Sequence, residues 1–369
     1  MEYKILVLTP DLRVPGGVSN YYETLKLEEV AEVEYFFVSP EKDESLYGVV
    51  WRMLTNYIAF IKLLRKGNIK LVHINPSLNL KSFIRDGLYV ILSHLLRKKT
   101  LVFFHGWSDE FELRIHNKSY LKFFFNHSFK RCKDIIVLSD SFRRKLISLG
   151  CSESHTKFWI ETTVADTSFL EGFSLEEKIT TYKKLNHCRI LFLSRIEETK
   201  GVFITINAFK KLQDDLPDKS FELIIAGDGS ALNDAKKVVE EQRVPNVTFT
   251  GYVRGEGKGI ELHKAHIFLF PTYYGEGMPT NILEGMLYGM PIVSRYNAGI
   301  ADSVGDGENG FLTESKEPSV FTDMLKKIVQ NPELYERMVR INHKKALENF
   351  ASENVRERIL KIYQTIIER

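Results

Sequence analysis

Short, solidly apolar runs alternate along the chain with longer segments in which apolar residues recur every three or four positions. KILVLTP, EYFFVSP, LVHINPS, TLVFFHG and DIIVLSD each end in Pro, Gly, Ser or Asp and precede an amphipathic or polar stretch. Such runs read as strands buried on both faces, and the segments between them as helical crossovers. The rhythm predicts a doubly wound parallel sheet. It breaks at about residues 157–178, KFWIETTVADTSFLEGFSLEEK, and restarts with RILFLSR, FELIIAGDG, VTFTGYV, HIFLFPT and PIVSR. Two α/β domains are therefore expected, residues 1–165 and 166–351. The last segment, 352–369, carries Val355, Ile359, Leu360, Tyr363, Ile366 and Ile367 at helical spacing, a stripe suited to packing back onto the first domain.

Length agrees with two cores, since 369 residues exceed what one core usually supports. Three scattered cysteines, Cys132, Cys151 and Cys188, offer neither a disulfide framework nor a CxxC zinc pair and suit a reducing cytoplasm. The segment MEYKILVLTPD enters a strand pattern at once, so no signal peptide is expected, and no apolar run is long enough to span a membrane.

Charge adds one feature. The net charge of +3 divides into +6 over residues 1–165 and −3 over the remainder, and residues 81–145 hold 14 basic and 6 acidic side chains. Within residues 118–133, Lys118, Lys122, Lys130, Arg131 and Lys133 interleave with Phe123, Phe124, Phe125 and Phe129. This region suits peripheral contact with anionic lipid at the inner face of a membrane. An amphipathic core helix with a solvated basic face accounts for the same residues. No nucleic-acid partner is expected.

Ligands of open parallel sheets bind beyond the carboxyl ends of the strands. The residues there are Pro15-Gly16-Gly17, His105-Gly106, Arg195, Gly227-Asp228-Gly229 and Tyr273 to Asn281. Gly16 and Gly17 precede a helix whose free amides suit an anion, although a plain turn explains two glycines equally well. In LSRIEETKG, Arg195 and Lys200 follow a buried strand and can converge on a diphosphate, Arg195 as a fork and Lys200 as a point charge. In PTYYGEGMPTNILEGMLYGMPIVS, Pro279 suits the first turn of a helix, leaving the amides of Thr280, Asn281 and Ile282 free. Ile282, Leu283, Met286, Leu287 and Met290 form one apolar face. Glu276 and Glu284 then border a pocket beside those amides, which suit phosphate as carboxylates suit the hydroxyls of ribose and sugar.

Absences narrow the chemistry. GDGSAL holds too few glycines for a dinucleotide fingerprint, and GYVRGEGKG lacks the first Gly and the Ser or Thr of a P-loop. The chain contains no Asp-x-Asp and no HExxH, so no metal site is expected.

With these residues assembled, the chain resembles the family 4 glycosyltransferases, retaining nucleotide-sugar enzymes of GT-B fold. PGGV at 15–18, FFHGW, LSRIEETKG, IAGDG, GYV, the Glu276-x7-Glu284 segment and DGENGFL carry the resemblance. It implies two Rossmann-like domains facing across an interdomain cleft, the first binding an acceptor and the second a nucleotide sugar. Arg195 and Lys200 match the pair holding the donor diphosphate, Glu276 the acid at the donor-sugar hydroxyls, and Glu284 the acid at the ribose. Gly277, Met278, Pro279, Thr280 and Asn281 match the backbone cradle of sugar and distal phosphate. Tyr252, Val253 and Arg254 match the border of the base, Gly227 lies in the matching IAGDG turn, Gly16 and Gly17 face the diphosphate, and His105 stands beside the reacting sugar. The linker ETTVADTSF departs from the family's Asn-Gly-Val-Asp. A UDP- or GDP-sugar donor, a glycan or lipid-linked acceptor and no metal or other cofactor are implied. A nucleotide-sugar epimerase of related architecture and a non-enzymatic nucleotide-sugar binder remain as alternatives.

Overall fold

A computed structural model describes residues 4–14, 16–38, 46–184, 186–275 and 277–369. Pro15 and Glu276 lie outside the described residues. The chain divides into two compact units, Met1–Thr163 with Glu353–Arg369, and Val164–Ser352.

The first unit holds β1 (Lys4–Thr9), β2 (Val33–Phe37), β3 (Ile69–Ile74), β4 (Ser77–Leu78), β5 (Lys99–Phe104), β6 (Gly106–Trp107), β7 (Asp134–Val137) and β8 (Lys157–Ile160). Six of these form one parallel sheet in the order β2-β1-β3-β5-β7-β8, while β4 and β6 pair separately. Every residue of β7 is buried, as are all but the first of β1 and β5, the burial a sheet covered on both faces imposes. The crossovers are α1 (Gly17–Leu25), α2 (Leu46–Lys66), α3 (Leu80–Leu95), α4 (Asp109–Asn117), α5 (Ser119–His127) and α6 (Asp140–Ser148). The order reverses between β1 and β3, which makes that pair the topological switch point.

In the second unit, α7 (Leu175–Lys184) leads into β9 (His187–Leu193), followed by α8 (Val202–Asp215), β10 (Ser220–Ala226), α9 (Leu232–Glu241), β11 (Val247–Gly251) and α10 (Gly255–Lys264). Then come β12 (Ile267–Phe270), α11 (Thr280–Leu287), β13 (Ile292–Arg295), α12 (Ala298–Ser303), β14 (Gly310–Thr313), α13 (Pro318–Val329) and α14 (Pro332–Asn349). Its parallel sheet runs β11-β10-β9-β12-β13-β14, with the switch point between β9 and β12.

The final helix, α15 (Ser352–Glu368), packs within the first unit. Val355, Ile359, Ile362, Tyr363 and Ile366 are buried, so Ile362 takes a core place and Leu360 stays half-buried. Tyr363 shares a 2.7 Å hydrogen bond with His73 Nδ1 on β3, and Lys99 Nζ donates to the carbonyls of Ile366 and Ile367, capping the negative end of the helix.

In the two six-stranded sheets, two strands escape the apolar-run pattern. The segment KFWI, expected to be irregular, forms edge strand β8 with half its residues exposed, and β14 is four residues starting at a glycine turn.

Candidate active site

The switch point of the second unit gathers Arg195, Lys200 and the start of α11. Gly227 fixes the approach: its φ is +147°, and a Cβ there would lie 1.8 Å from the carbonyl oxygen of Ser194. Only glycine lets the turn after β10 press against the end of β9. The amide of Ile196 then donates to Asp228 O at 2.8 Å. Gly227 thus has a packing reason of its own.

Lys200 sits in a 3-10 turn, Glu198–Lys200, and is 6% exposed. The amides of Tyr273 and Tyr274 both donate to Thr199 O, at 2.9 and 3.1 Å, which clips the loop after β12 to this turn. Lys200 Nζ consequently lies 4.1 Å from the Tyr274 ring centroid, with the Arg195 guanidinium 5.9 Å from the same ring. Arg195 is exposed and paired with Glu197 at 2.6 Å. Tyr274, within the Tyr273–Asn281 loop expected at the strand ends but with no role expected of it, is the ring both cations share.

Helix α11 starts one residue later than expected. Pro279 is its N-cap, with extended backbone, rather than a first-turn residue. The Ile282 amide is also not free: it donates to Asn281 Oδ1 at 2.9 Å and to Pro279 O at 3.1 Å. Asn281 Nδ2 donates to Leu193 O, so this side chain ties the α11 start to the last residue of β9. The first helical amides, of Thr280 and Asn281, have no carbonyl four residues back inside the helix and keep the positive end of its dipole. Met278 is buried, its sulfur accepting from Ser303 Oγ at 3.1 Å, and Gly277 O accepts from the Gly299 amide at 2.7 Å.

Glu284 is buried one turn further on. Its Oε1 accepts from Lys258 Nζ of α10 at 2.6 Å. Burial drives the Glu284 carboxyl above the ordinary range for Glu, and Lys258 offsets part of that rise. Burial likewise opposes the Lys258 charge, but Glu284, with Asp166 of the linker adding its field, overcomes it and holds the ammonium above its ordinary value. Neither Lys258 nor Asp166 stood out in the sequence, because only the fold brings α10 and the linker beside α11. Tyr252 and Arg254 are exposed and Val253 half-buried between β11 and α10.

In the first unit, Gly16 has extended backbone and Gly17 opens α1, and a Cβ on either meets nothing closer than 3.5 Å. Neither strain nor packing requires glycine there. His105 Nε2 donates to Asn75 Oδ1 at 2.9 Å, an oxygen that also accepts from Tyr22 at 2.7 Å, while Asn75 Nδ2 donates to Leu8 O. Burial lowers the His105 pKa to about 3, so the ring is neutral at physiological pH. In 118–133, Phe125 and Phe129 are core residues and Phe124 enters the space that Gly87 leaves on α3, so only Phe123 of the four phenylalanines is exposed. Among the described residues, no group of three or more His, Cys, Asp or Glu side chains is placed to hold a metal ion, and no helix is long and apolar enough to cross a membrane.

Residues 176–345, the greater part of the second unit, match the family described as glycosyl transferases group 1. An uncharacterised glycosyltransferase of Methanocaldococcus jannaschii is 26% identical over 280 residues, 74% of this chain and 69% of that one. AmsK, the amylovoran biosynthesis glycosyltransferase of Erwinia amylovora, is 24% identical over 353 residues, 86% of this chain and 82% of its own. HepE of Anabaena, solved in complex with UDP and glucose, is similar at a TM-score of 0.71 and 17% identity, covering 98% of this chain and 100% of that one. The architecture of two Rossmann-like units is the GT-B fold. With the matched segment and these relatives, the protein is an enzyme, a glycosyltransferase.

Proposed function

We propose that the protein is a retaining, metal-independent hexosyltransferase that moves a sugar from a UDP- or GDP-sugar to a glycan or lipid-linked acceptor, in polysaccharide or glycolipid biosynthesis. The observation that carries this reading is the convergence of Arg195 and Lys200 on one ring at the second unit's switch point, next to the amide end of α11. The name of AmsK supports polysaccharide synthesis, and the ligands of HepE support a nucleotide-sugar donor.

The chemistry follows from charge. As the bond from sugar C1 to the leaving phosphate breaks, negative charge grows on the diphosphate and positive charge on the ring. Arg195, Lys200 and the amides of Thr280 and Asn281 oppose the former. Glu284 receives the ribose hydroxyls, Tyr252 to Arg254 border the base, Gly227 to Gly229 close the diphosphate side, and Glu276 orients the sugar. The acceptor oxygen attacks the face the phosphate leaves, and that phosphate takes its proton. His105, Gly16 and Gly17 of the first unit serve the reacting end of the donor, His105 as a neutral hydrogen-bonding ring. Catalysis takes place on the cytoplasmic side.

The test is nucleoside diphosphate release from a panel of UDP- and GDP-sugars with mixed glycan acceptors, with product anomers read by proton NMR. One donor should be consumed with its anomeric configuration kept. An inverted anomer sinks retention alone, and conversion of the donor to a free epimer without acceptor replaces transfer with epimerisation.

A further inference from the structure

Helices α2, α3 and α5 cover one side of the first unit's sheet, and their outward faces are apolar where a solvated helix would be polar. On α2 the inward positions are Phe60 and Leu64, while Trp51, Leu54 and Ile58 point out along two turns, Trp51 with 71% of its surface exposed. On α3, Phe83, Asp86, Val90 and Ser93 are buried, and Ile84, Leu88, Ile91 and Leu95 form the stripe on the opposite side of the helix. Leu95, at the end of that stripe, is 72% exposed. On α5, Tyr120 and Phe123 stand out at 63% and 65%.

The three helices are neighbours. Tyr57 and Phe60 of α2 pack on Tyr89 of α3, and Phe124 of α5 packs on Phe83 and against Gly87 of α3. Exposed apolar residues on three adjacent helices exceed the scattered ones of an ordinary soluble surface. Their charge has one sign. Residues 46–66 contain Arg52, Lys62, Arg65 and Lys66 and no acid, and α5 carries Lys122 and no acid, preceded by Lys118 and followed by the turn residues Lys130, Arg131 and Lys133. The acid of α3, Asp86, is buried and bonded to Arg85 and Ser82.

We infer that the α2–α3–α5 face is a docking surface for an anionic lipid bilayer, with Trp51, Leu54, Ile58 and Phe123 entering the headgroup layer and the basic side chains resting on lipid phosphates. It deepens the lipid-linked acceptor reading above and rests on it for its purpose, while adsorption itself is independent of donor chemistry. Apolar insertion and cationic attraction reinforce each other on such a surface. Either alone gives weak binding.

Co-sedimentation of the full chain with vesicles of phosphatidylcholine alone, and of phosphatidylcholine mixed with phosphatidylglycerol, tests this. The wild type should sediment with the mixed vesicles and remain in solution with the neutral ones, and added salt should release it. The triple variant Trp51→Ser, Leu54→Ser, Ile58→Ser, changed only at exposed positions, should bind at least about tenfold more weakly. Equal binding by the variant, or no binding by the wild type, overturns the inference. So does a stable wild-type dimer that the triple substitution splits, since a second copy would then cover the face. Thermal stabilisation by donor is measured on the same samples. Donor stabilisation without vesicle binding defeats only the docking surface, and vesicle binding without any donor effect defeats only the active-site reading.

Discussion

Arg195 and Lys200 both follow β9, yet they stand in different surroundings. Arg195 is exposed, paired with Glu197 and near the Tyr274 ring, whereas Lys200 is buried against Tyr274. Arg195→Ala should lower kcat by roughly a hundredfold or more with little change in donor KM and little change in Tm. Lys200→Ala should lower both kcat and Tm, and unchanged turnover in either folded variant removes that residue from the chemistry. The Lys258–Glu284 pair makes a different prediction. The groups around Glu284 are Lys258 on α10, Asp166 on the linker and Tyr288 at the C-cap of α11. Without Lys258, burial and Asp166 push the carboxyl further toward its protonated form, which cannot accept both ribose hydroxyls. Lys258→Met should therefore raise donor KM by about tenfold, more steeply as pH falls. A KM profile parallel to that of the wild type would deny Lys258 any part in holding the carboxylate.

At the scale of elements, the strands were legible wherever both faces are buried, because burial writes a continuous apolar run. Strand β8 was not, since its residues KFWI are half exposed at the sheet edge, and β14 is too short to carry a pattern. The site was legible where it depends on strand ends: Arg195, Lys200 and the α11 turn are read from a strand followed by cations or by a Pro-Thr-Asn turn. It was illegible where it depends on packing between elements. Asn281 was expected to contribute its backbone, and its side chain joins α11 to β9; Lys258, which had no expected role, sits on Glu284. Gly227 shows the same limit. Its Cβ-free approach to Ser194 holds the turns after β9 and β10 together, so Gly227→Ala should destabilise the fold by roughly 3 kcal/mol or more. A thermal melt of that variant at the wild-type Tm would mean that the turn relaxes freely.

Across the whole molecule, buried neutral histidines set the acid limit. Burial holds His105 and His266 at about 3 and lowers His73 well below its ordinary value. Each folded pKa lies below the unfolded value near 6.5, so the unfolded chain takes up the proton first. Their contribution is complete above about pH 6.5 and is lost as pH falls toward 3. By pH 5 His105 and His266 each withdraw about 2 kcal/mol. Tm should fall steeply between pH 6.5 and 5, and a flat profile there would contradict the buried, neutral assignment. His105 should accordingly leave no inflection in the pH–rate profile between 5 and 8.

Arg195 and Lys200, at the second unit's switch point, are proposed to hold the diphosphate of a nucleotide sugar. Thermal stability measured across UDP- and GDP-sugars, for the wild type and for Arg195→Ala with Glu284→Gln, tests this most directly. One donor should raise the wild-type Tm by several degrees at concentrations well above its Kd, and the double variant, folded but with an unliganded Tm lowered because Lys258 loses its carboxylate partner, should lose that shift. A donor shift that survives in the double variant, or no shift with any nucleotide sugar, would contradict it.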